Sequence, residues 1–312
     1  MPDLIVQQLR KTYNKGATLA VDDVSFSVEQ GALFGLIGPD GAGKTSIFRM
    51  LTTLLLPDSG TASVRGMDIV RDYKAIRKEV GYMPGKFSLY QDLTVEENLN
   101  FFATVFNTSV AENYSLIKDI YVQIEPFKTR KAGKLSGGMK QKLALCCALI
   151  HRPTVLFLDE PTTGVDTVSR KEFWAMLQQL KAQGITILVS TPYMDEATLC
   201  EQIALMQNGK LMAIDTPERL ISAYPRKMYA IKAKDMSALL QELRHCGSLA
   251  SCYAFGEYHH ITFKNDNEVS RTALVQYFTE QGYKDLELKE ITPGIEDCFI
   301  RLMNPIHAGI GY

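Results

Sequence analysis

The sequence has no excess of either charge. It carries 34 lysines and arginines against 35 aspartates and glutamates, a formal net charge of −1 over 312 residues. A nucleic-acid binder presents a basic patch to phosphate, so no nucleic-acid partner is expected. No apolar run approaches the ~20 residues that a bilayer-spanning helix needs. The N-terminal MPDLIVQQLRKTY lacks a basic region followed by an apolar stretch, so no signal peptide is expected. Work at a membrane would then require another chain to do the spanning. Charge blocks and low-complexity tracts are also missing. The six cysteines, Cys146, Cys147, Cys200, Cys246, Cys252 and Cys298, form no CxxC pair. Cys146-Cys147 sits in an apolar helical run and reads as packed free thiols, which fits a reducing, cytoplasmic setting.

What is present is a globular balance, 46% hydrophobic and 22% charged, in a chain long enough for two domains. Residues 3–9 alternate like an edge strand, and 24–28 read as a second strand. ALFGLIG (32–38) is short and nearly all apolar, as a buried parallel strand is. VLFLD (155–159) and ITILVS (185–190) repeat that pattern. Helical spacing fits 46–55, 95–106, 112–127, 139–150 and 170–183, and the stretch from about 72 to 150 reads as mostly helix. Asn208-Gly209 is the favoured hairpin turn and folds 203–214 back on itself. Strands alternating with helices predict a parallel sheet covered on both faces. Pro225-Arg226-Lys227 marks a boundary. The β-α-β-β-α-β order beyond it (228–233, 236–245, 249–254, 258–264, 268–281, 284–289) predicts a small ferredoxin-like domain. The domains expected are therefore 1–224, with a helical insert over about 86–150, and 225–312.

GPDGAGKT (38–45) matches the phosphate-binding loop G-x-x-x-x-G-K-[ST], and it stands where that loop must, between a buried strand and a helix. Gly38, Pro39, Asp40, Gly41, Ala42 and Gly43 form the turn. Its glycines let successive N–H groups converge on phosphates, and the following helix aims its positive end at the same charge. Lys44 can reach the β- and γ-phosphates. Thr45 offers a hydroxyl to Mg²⁺, and Ser46 can add a phosphate contact. In VLFLDEP (155–161), Asp159 emerges at a strand end to hold Mg²⁺, and Glu160 is placed as general base. ATP and Mg²⁺ are the expected ligands. His259-His260 lies in an alternating strand, where neighbours face opposite sides, so a shared metal is not expected there.

LSGGMKQ (135–141) lies between those two segments and just before a helix. It resembles the signature motif of ABC transporter ATP-binding subunits. The resemblance covers residues 3 to about 222. YQDLTVEENL (90–99) and STPYMDEA (190–197) are similar to the drug- and polysaccharide-export branch. ITPGIEDCFIRLM (291–303) resembles the end of an accessory domain found there. The resemblance implies an α/β P-loop fold: a parallel sheet core, an antiparallel β-subdomain, a helical subdomain and a small C-terminal α+β domain. It implies head-to-tail dimers in which Ser136, Gly137 and Gly138 of one chain complete the ATP site of the other. It places Tyr13 on the adenine and Asp166 in the D-loop (TTGVD, 162–166). A separate membrane permease is the other implied partner, with the chain held at the inner face of the membrane. FSLYQDLTVEENLNFF (87–102) reads either as a docking surface for a permease helix or as a buried helix start.

Two positions depart from the family pattern. Where glutamine normally follows GYxP, the segment is GYMPGKF (81–87) and Gly85 stands there. Where histidine normally follows the Ser-Thr of the next strand, Pro192 stands, with no side-chain donor and no N–H. Both losses fall on one composite site. They point to a chain that binds ATP, hydrolyses it poorly, and pairs with a fully equipped partner, a heterodimer being favoured over a homodimer. Asp40 also departs, asparagine being commoner there, and its side chain is expected to point away from phosphate. The alternatives are a soluble ABC ATPase acting on ribosomes or DNA, for which the usual charged linker or long coiled-coil insert is missing, and a non-hydrolysing ATP-dependent regulatory module.

Overall fold

In the computed structural model, residues 1–283 and 285–304 are described. The chain divides into two compact units, Met1–Pro217 and Glu218–Tyr312. The division falls ahead of the Pro225 boundary read from composition.

The first unit opens with β1 (Pro2–Tyr13) and β2 (Thr18–Glu29), followed by β3 (Leu33–Ile37) and α1 (Lys44–Leu51). Next come β4 (Ser59–Val64), β5 (Met67–Asp68), α2 (Tyr73–Glu79) and β6 (Val80–Met83). A helical stretch follows: α3 (Val95–Val105), α4 (Val110–Tyr121) and α5 (Gly137–Leu149). The unit continues through β7 (Val155–Asp159), α6 (Thr167–Ala182), β8 (Thr186–Thr191), β9 (Gln202–Gln207) and β10 (Lys210–Asp215).

These strands form two sheets. One is antiparallel, in the order β2-β1-β4-β5. The other has the order β10-β9-β3-β8-β7-β6 and is parallel except for the β9–β10 hairpin. In that hairpin both turn residues, Asn208 and Gly209, have positive φ, as a type I′ turn requires. Every residue of β3, β7 and β8 is buried, which is why their sequences run apolar without alternation. Phe34, Phe48 and Phe157 share one core with Leu4, Val6 and Val28 of the antiparallel sheet.

Two local readings need correction. Residues 3–9 do not form an edge strand: β1 lies between β2 and β4 and pairs with both. Alternation reports one buried face and says nothing about whether a strand has one neighbour or two. The stretch from 72 to 150 also holds a strand, β6, four residues long and paired with β7. So short a run inside a helical stretch gives no period to read.

The short α7 (Pro217–Ser222) leads into the second unit. There β11 (Met228–Lys232), α8 (Met236–His245), β12 (Leu249–Phe255), β13 (Tyr258–Phe263), α9 (Glu268–Glu280), β14 (Glu287–Ile291) and α10 (Ile295–Met303) follow. The sheet order is β12-β13-β11-β14, all antiparallel. With the β-α-β-β-α-β sequence this is the ferredoxin-like arrangement. The last strand begins three residues later than read, and Lys284, where it was placed to start, lies outside the described residues. Leu239 and Leu243 of α8 and Leu274 and Phe278 of α9 pack with Tyr229, Ile231 and Phe263 of the sheet. His259 and His260 face opposite sides. His259 Nε2 bonds the Met236 carbonyl, and His260 Nδ1 bonds Asp297 of α10.

Candidate functional site

The glycine loop is fixed from several sides. The Gly38 N–H donates to the carbonyl of Thr191 at 3.2 Å, tying the loop to the end of β8. Ala42 accepts from Gly209 N–H at 3.0 Å. A Cβ on Gly38 would stand 2.2 Å from the Met206 carbonyl oxygen, and one on Gly43, at φ 105°, would stand 2.2 Å from that of Ala20. Glycine is thus required by close approach at both ends of the turn. Gly41 has φ 78° but open space where a Cβ would be. Asp40 is exposed at the tip.

Lys44 opens α1 and is only 3% exposed. Its ammonium donates to the carbonyls of Gly38 at 2.7 Å and Pro39 at 3.0 Å. It also lies 3.4 Å from Glu160 Oε1. The loop's own carbonyls therefore preset the lysine beside the place where phosphates would lie. Ser46, one turn into α1, shares a 3.1 Å hydrogen bond with the Tyr13 hydroxyl at the end of β1. That bond brings the Tyr13 ring to the loop's rim.

Asp159 ends β7 and is 2% exposed. Ser190 of β8 donates its hydroxyl to Asp159 Oδ1 at 2.6 Å and accepts the Glu160 N–H at 3.0 Å. One hydroxyl so ties the Asp159 carboxylate to the Glu160 backbone at the strand end. Glu160 is held at φ 52°, an uncommon conformation for a non-glycine residue. Burial and, second, the Asp159 carboxylate push the Tyr82 phenol up to about 12, so it stays protonated beside the site. Among the described residues no group of three or more His, Cys, Asp or Glu is placed to hold a metal. The oxygens of Thr45 and Asp159 suit a hard dication such as Mg²⁺, which is held through one or two protein oxygens plus substrate phosphates.

The Gly85 position lies against this strand end. A Cβ there would stand 3.0 Å from the Asp159 carbonyl oxygen and 3.7 Å from Glu160 Cβ. Pro192 directly follows Thr191, the residue whose carbonyl holds Gly38. Both departures therefore lie at the loop and strand end, not elsewhere on the sheet.

The LSGG segment stands on other elements. Ser136 caps α5, its hydroxyl accepting Met139 N–H at 3.3 Å, and Ser136 and Gly137 are exposed. Gly138 packs on α6, where a Cβ would meet Ser169 Oγ at 2.7 Å. A Cβ on Gly137 would lie 3.3 Å from the carbonyl of Gly164 in the TTGVD turn. Asp166 caps α6, accepting from the N–H groups of Val168 at 3.1 Å and Ser169 at 3.0 Å. The bonds from Ser169 lead in holding its carboxyl below the usual range. The LSGG and TTGVD segments thus lie side by side, with Ser136, Gly137, Gly164 and Asp166 exposed.

A group the sequence did not mark lies behind those segments. Glu196 is 2% exposed. It accepts hydroxyls from Thr162 at 2.7 Å and Thr191 at 2.5 Å and pairs with Arg170 at 2.9 Å. One buried carboxylate so joins the TTGVD turn, the end of β8 and helix α6. STPYMDEA contains Glu196, but its partners lie 5 to 34 positions away, and no spacing announces them.

Beside Gly85 runs an apolar cavity of about 420 Å³, lined by Tyr82, Met83, Leu89, Phe102, Phe106 and His151 among others. Residues 87–102 include a capped, partly buried helix start. Thr94 and Glu97 form a capping box at the start of α3, and buried Asn98 ties Tyr90, Leu93 and Thr94 together. Leu89 and Phe102 line the cavity, while Tyr90 is 50% exposed.

The ABC transporter family model matches residues 21–163. The chain is 38% identical over 288 residues to the probable multidrug ABC transporter ATP-binding protein YbhF of Escherichia coli; that covers 91% of this chain and 49% of YbhF, so the chain spans about half of that relative. It is 40% identical over 308 residues to the Nod factor export ATP-binding protein I of Burkholderia thailandensis, covering 95% of each. A solved ATP-binding subunit of an ABC transporter superposes with a TM-score of 0.64 at 28% identity, over 71% of this chain and 92% of that one.

Proposed function

We propose a function from one premise: this chain belongs to the ABC transporter family, as an ATP-binding subunit. In our reading it powers an exporter by coupling ATP binding to a separate membrane permease, working as an ATPase whose own Walker site turns over slowly. ATP lies on Gly38 to Ser46 with Tyr13 against the adenine. Lys44 takes the β- and γ-phosphates, and Thr45 and Asp159 hold Mg²⁺. Glu160 is the general base. Ser136, Gly137, Gly138 and Asp166 face a second nucleotide-binding subunit, a heterodimer being favoured. The chain then sits in the cytoplasm at the inner face of the membrane, and the apolar cavity beside Gly85 receives a helix of the permease. The export name of the Burkholderia thailandensis relative supports that direction of transport.

The observation that carries the slow-turnover reading is the place of Gly85. Its missing side chain would begin 3.7 Å from Glu160 Cβ, within reach of attacking water and metal. Glycine offers neither an oxygen ligand nor a hydrogen bond, and Pro192 offers no donor. With both helpers gone, Glu160 alone must orient water. The test is the ATPase rate of the purified chain against that of Gly85→Gln with Pro192→His. The unaltered chain is expected to bind ATP and turn over slowly, and the double variant to turn over faster. The Asp159 carbonyl must give by a few tenths of an ångström to admit the new Cβ, given the 3.0 Å approach. ATP binding by the variant, measured separately, therefore checks that the site survives. Brisk turnover by the unaltered chain alone would overturn the slow-site reading while leaving ATP binding intact.

A further inference from the structure

The second unit holds a small cavity on the sheet face opposite α8 and α9. It measures about 180 Å³ and is lined by Arg226 and Arg301, the hydroxyls of Ser251 and Thr262, and Tyr224 and Tyr253, among others. All of its lining groups lie within Glu218–Tyr312. Two guanidiniums enter it, and no carboxylate is among its described lining residues.

Arg226 is fixed by its Nη1, which donates to the carbonyls of Phe263 at 3.0 Å and Lys264 at 2.9 Å. Its remaining nitrogens meet no hydrogen-bond acceptor among the described residues. Arg301 Nε is buried and has no hydrogen-bond partner among the described residues. The guanidinium of Arg301 lies 5.7 Å from the centre of the Tyr224 ring, a contact that holds it without using its N–H groups. Ser251 Oγ and Thr262 Oγ1 are 2.7 Å apart. One proton serves that bond, so the pair has a second proton left to donate. A buried donor without an acceptor is costly and is normally satisfied. Two guanidiniums beside one free hydroxyl proton make a donor set that suits carboxylate and phosphate oxygens.

From this geometry we propose that the C-terminal unit binds a small oxyanion, a phosphate or carboxylate head group, between Arg226 and Arg301. The volume limits the ligand. At roughly 30 Å³ of liquid volume per water, the cavity equals about six waters, below the ~300 Å³ where drug-sized pockets begin. That space suits a small anionic head group. The site is independent of the glycine loop and would give the accessory unit a ligand of its own.

The phosphate loop also attracts phosphate, so the test separates the two. The full chain, saturated with Mg·ADP to fill the loop, is titrated by calorimetry with inorganic phosphate and, separately, with acetate. One saturable site is expected for at least one of these anions, and the better of the two identifies the head group. Arg301→Gln is expected to weaken it roughly tenfold to a hundredfold, the worth of a charge-assisted hydrogen bond. Ser251→Ala, which leaves both arginines in place, is expected to weaken it less. Lys44→Ala, tested without nucleotide, is expected to retain it. Absence of any saturable anion binding in the ADP-loaded chain overturns the proposal. So does binding that survives Arg301→Gln or disappears in Lys44→Ala, since it then belongs to the glycine loop.

Discussion

The Lys44–Glu160 pair makes a quantitative claim about ATP affinity. Lys44 lies 3.4 Å from Glu160 Oε1, with the two side chains 3% and 23% exposed. At that distance Coulomb's law gives ~1.2 kcal/mol with the dielectric of water and ~4.9 kcal/mol at an effective dielectric of about 20. Glu160 is partly wet, which pulls the value toward the lower figure, so a coupling of ~1–2 kcal/mol is expected. In the proposed ATP complex, Lys44 leaves this partner for the phosphates. Glu160→Gln removes the competitor, and the pair's share of the gain in ATP affinity is about fivefold to thirtyfold. The same substitution also removes repulsion between carboxylate and phosphate. A double-mutant cycle with Lys44→Met isolates the pair, because only the repulsion remains in that background. The assay is titration of a fluorescent ATP analogue without Mg²⁺, which prevents turnover. If Glu160→Gln improves binding equally in both backgrounds, the ion pair does not hold Lys44 and the reasoning fails.

Three further outcomes are expected. Glu196→Ala strips Arg170 of a buried partner and leaves two threonine hydroxyls unmatched; it should lower stability to urea by ~3–5 kcal/mol, and Glu196→Gln by less, whereas equal effects from both would deny the charge any part. Gly43→Ala forces a Cβ to 2.2 Å from a carbonyl at φ 105°, while Gly41→Ala at φ 78° meets nothing; the second should cost only ~1–2 kcal/mol of left-handed strain and the first ~1–3 kcal/mol more, with ATP binding lost, and similar unfolding midpoints would refute the packing argument. Hydrogen bonds from Lys11, then Thr12, lower the Asp58 carboxyl to about 2; its folded value lies below the unfolded ~3.9, so its stabilisation is present above about pH 4 and fades as pH falls toward 2, and Asp58→Asn should flatten that part of the acid-stability curve.

Legibility divided along a physical line. The G-x-x-x-x-G-K-T spacing fixes the loop, because converging N–H groups and a helix start need those residues at those offsets. The apolar runs of β3, β7 and β8 announce strands buried on both faces, and they are so buried. Asn208-Gly209 announces its hairpin for an equally local reason. Each of these follows from a few neighbouring residues.

What the chain does across long separations was decided only by packing. That β1 is interior depends on β4, which closes on it from some fifty residues later. The glycine at position 38 looks like a turn residue, yet its stronger constraint is the Met206 carbonyl 2.2 Å from any Cβ. Ser190 and Glu196 read as ordinary residues at a strand end until Asp159, Thr162 and Arg170 gather around them. Arg226 and Arg301 are 75 positions apart and meet in one cavity. Sequence by itself determined the chemistry available, since spacing sets which backbone and side-chain groups a turn or strand can present. The tertiary structure decided which of those groups share a neighbour, since that depends on contacts between segments whose separation leaves no periodic trace.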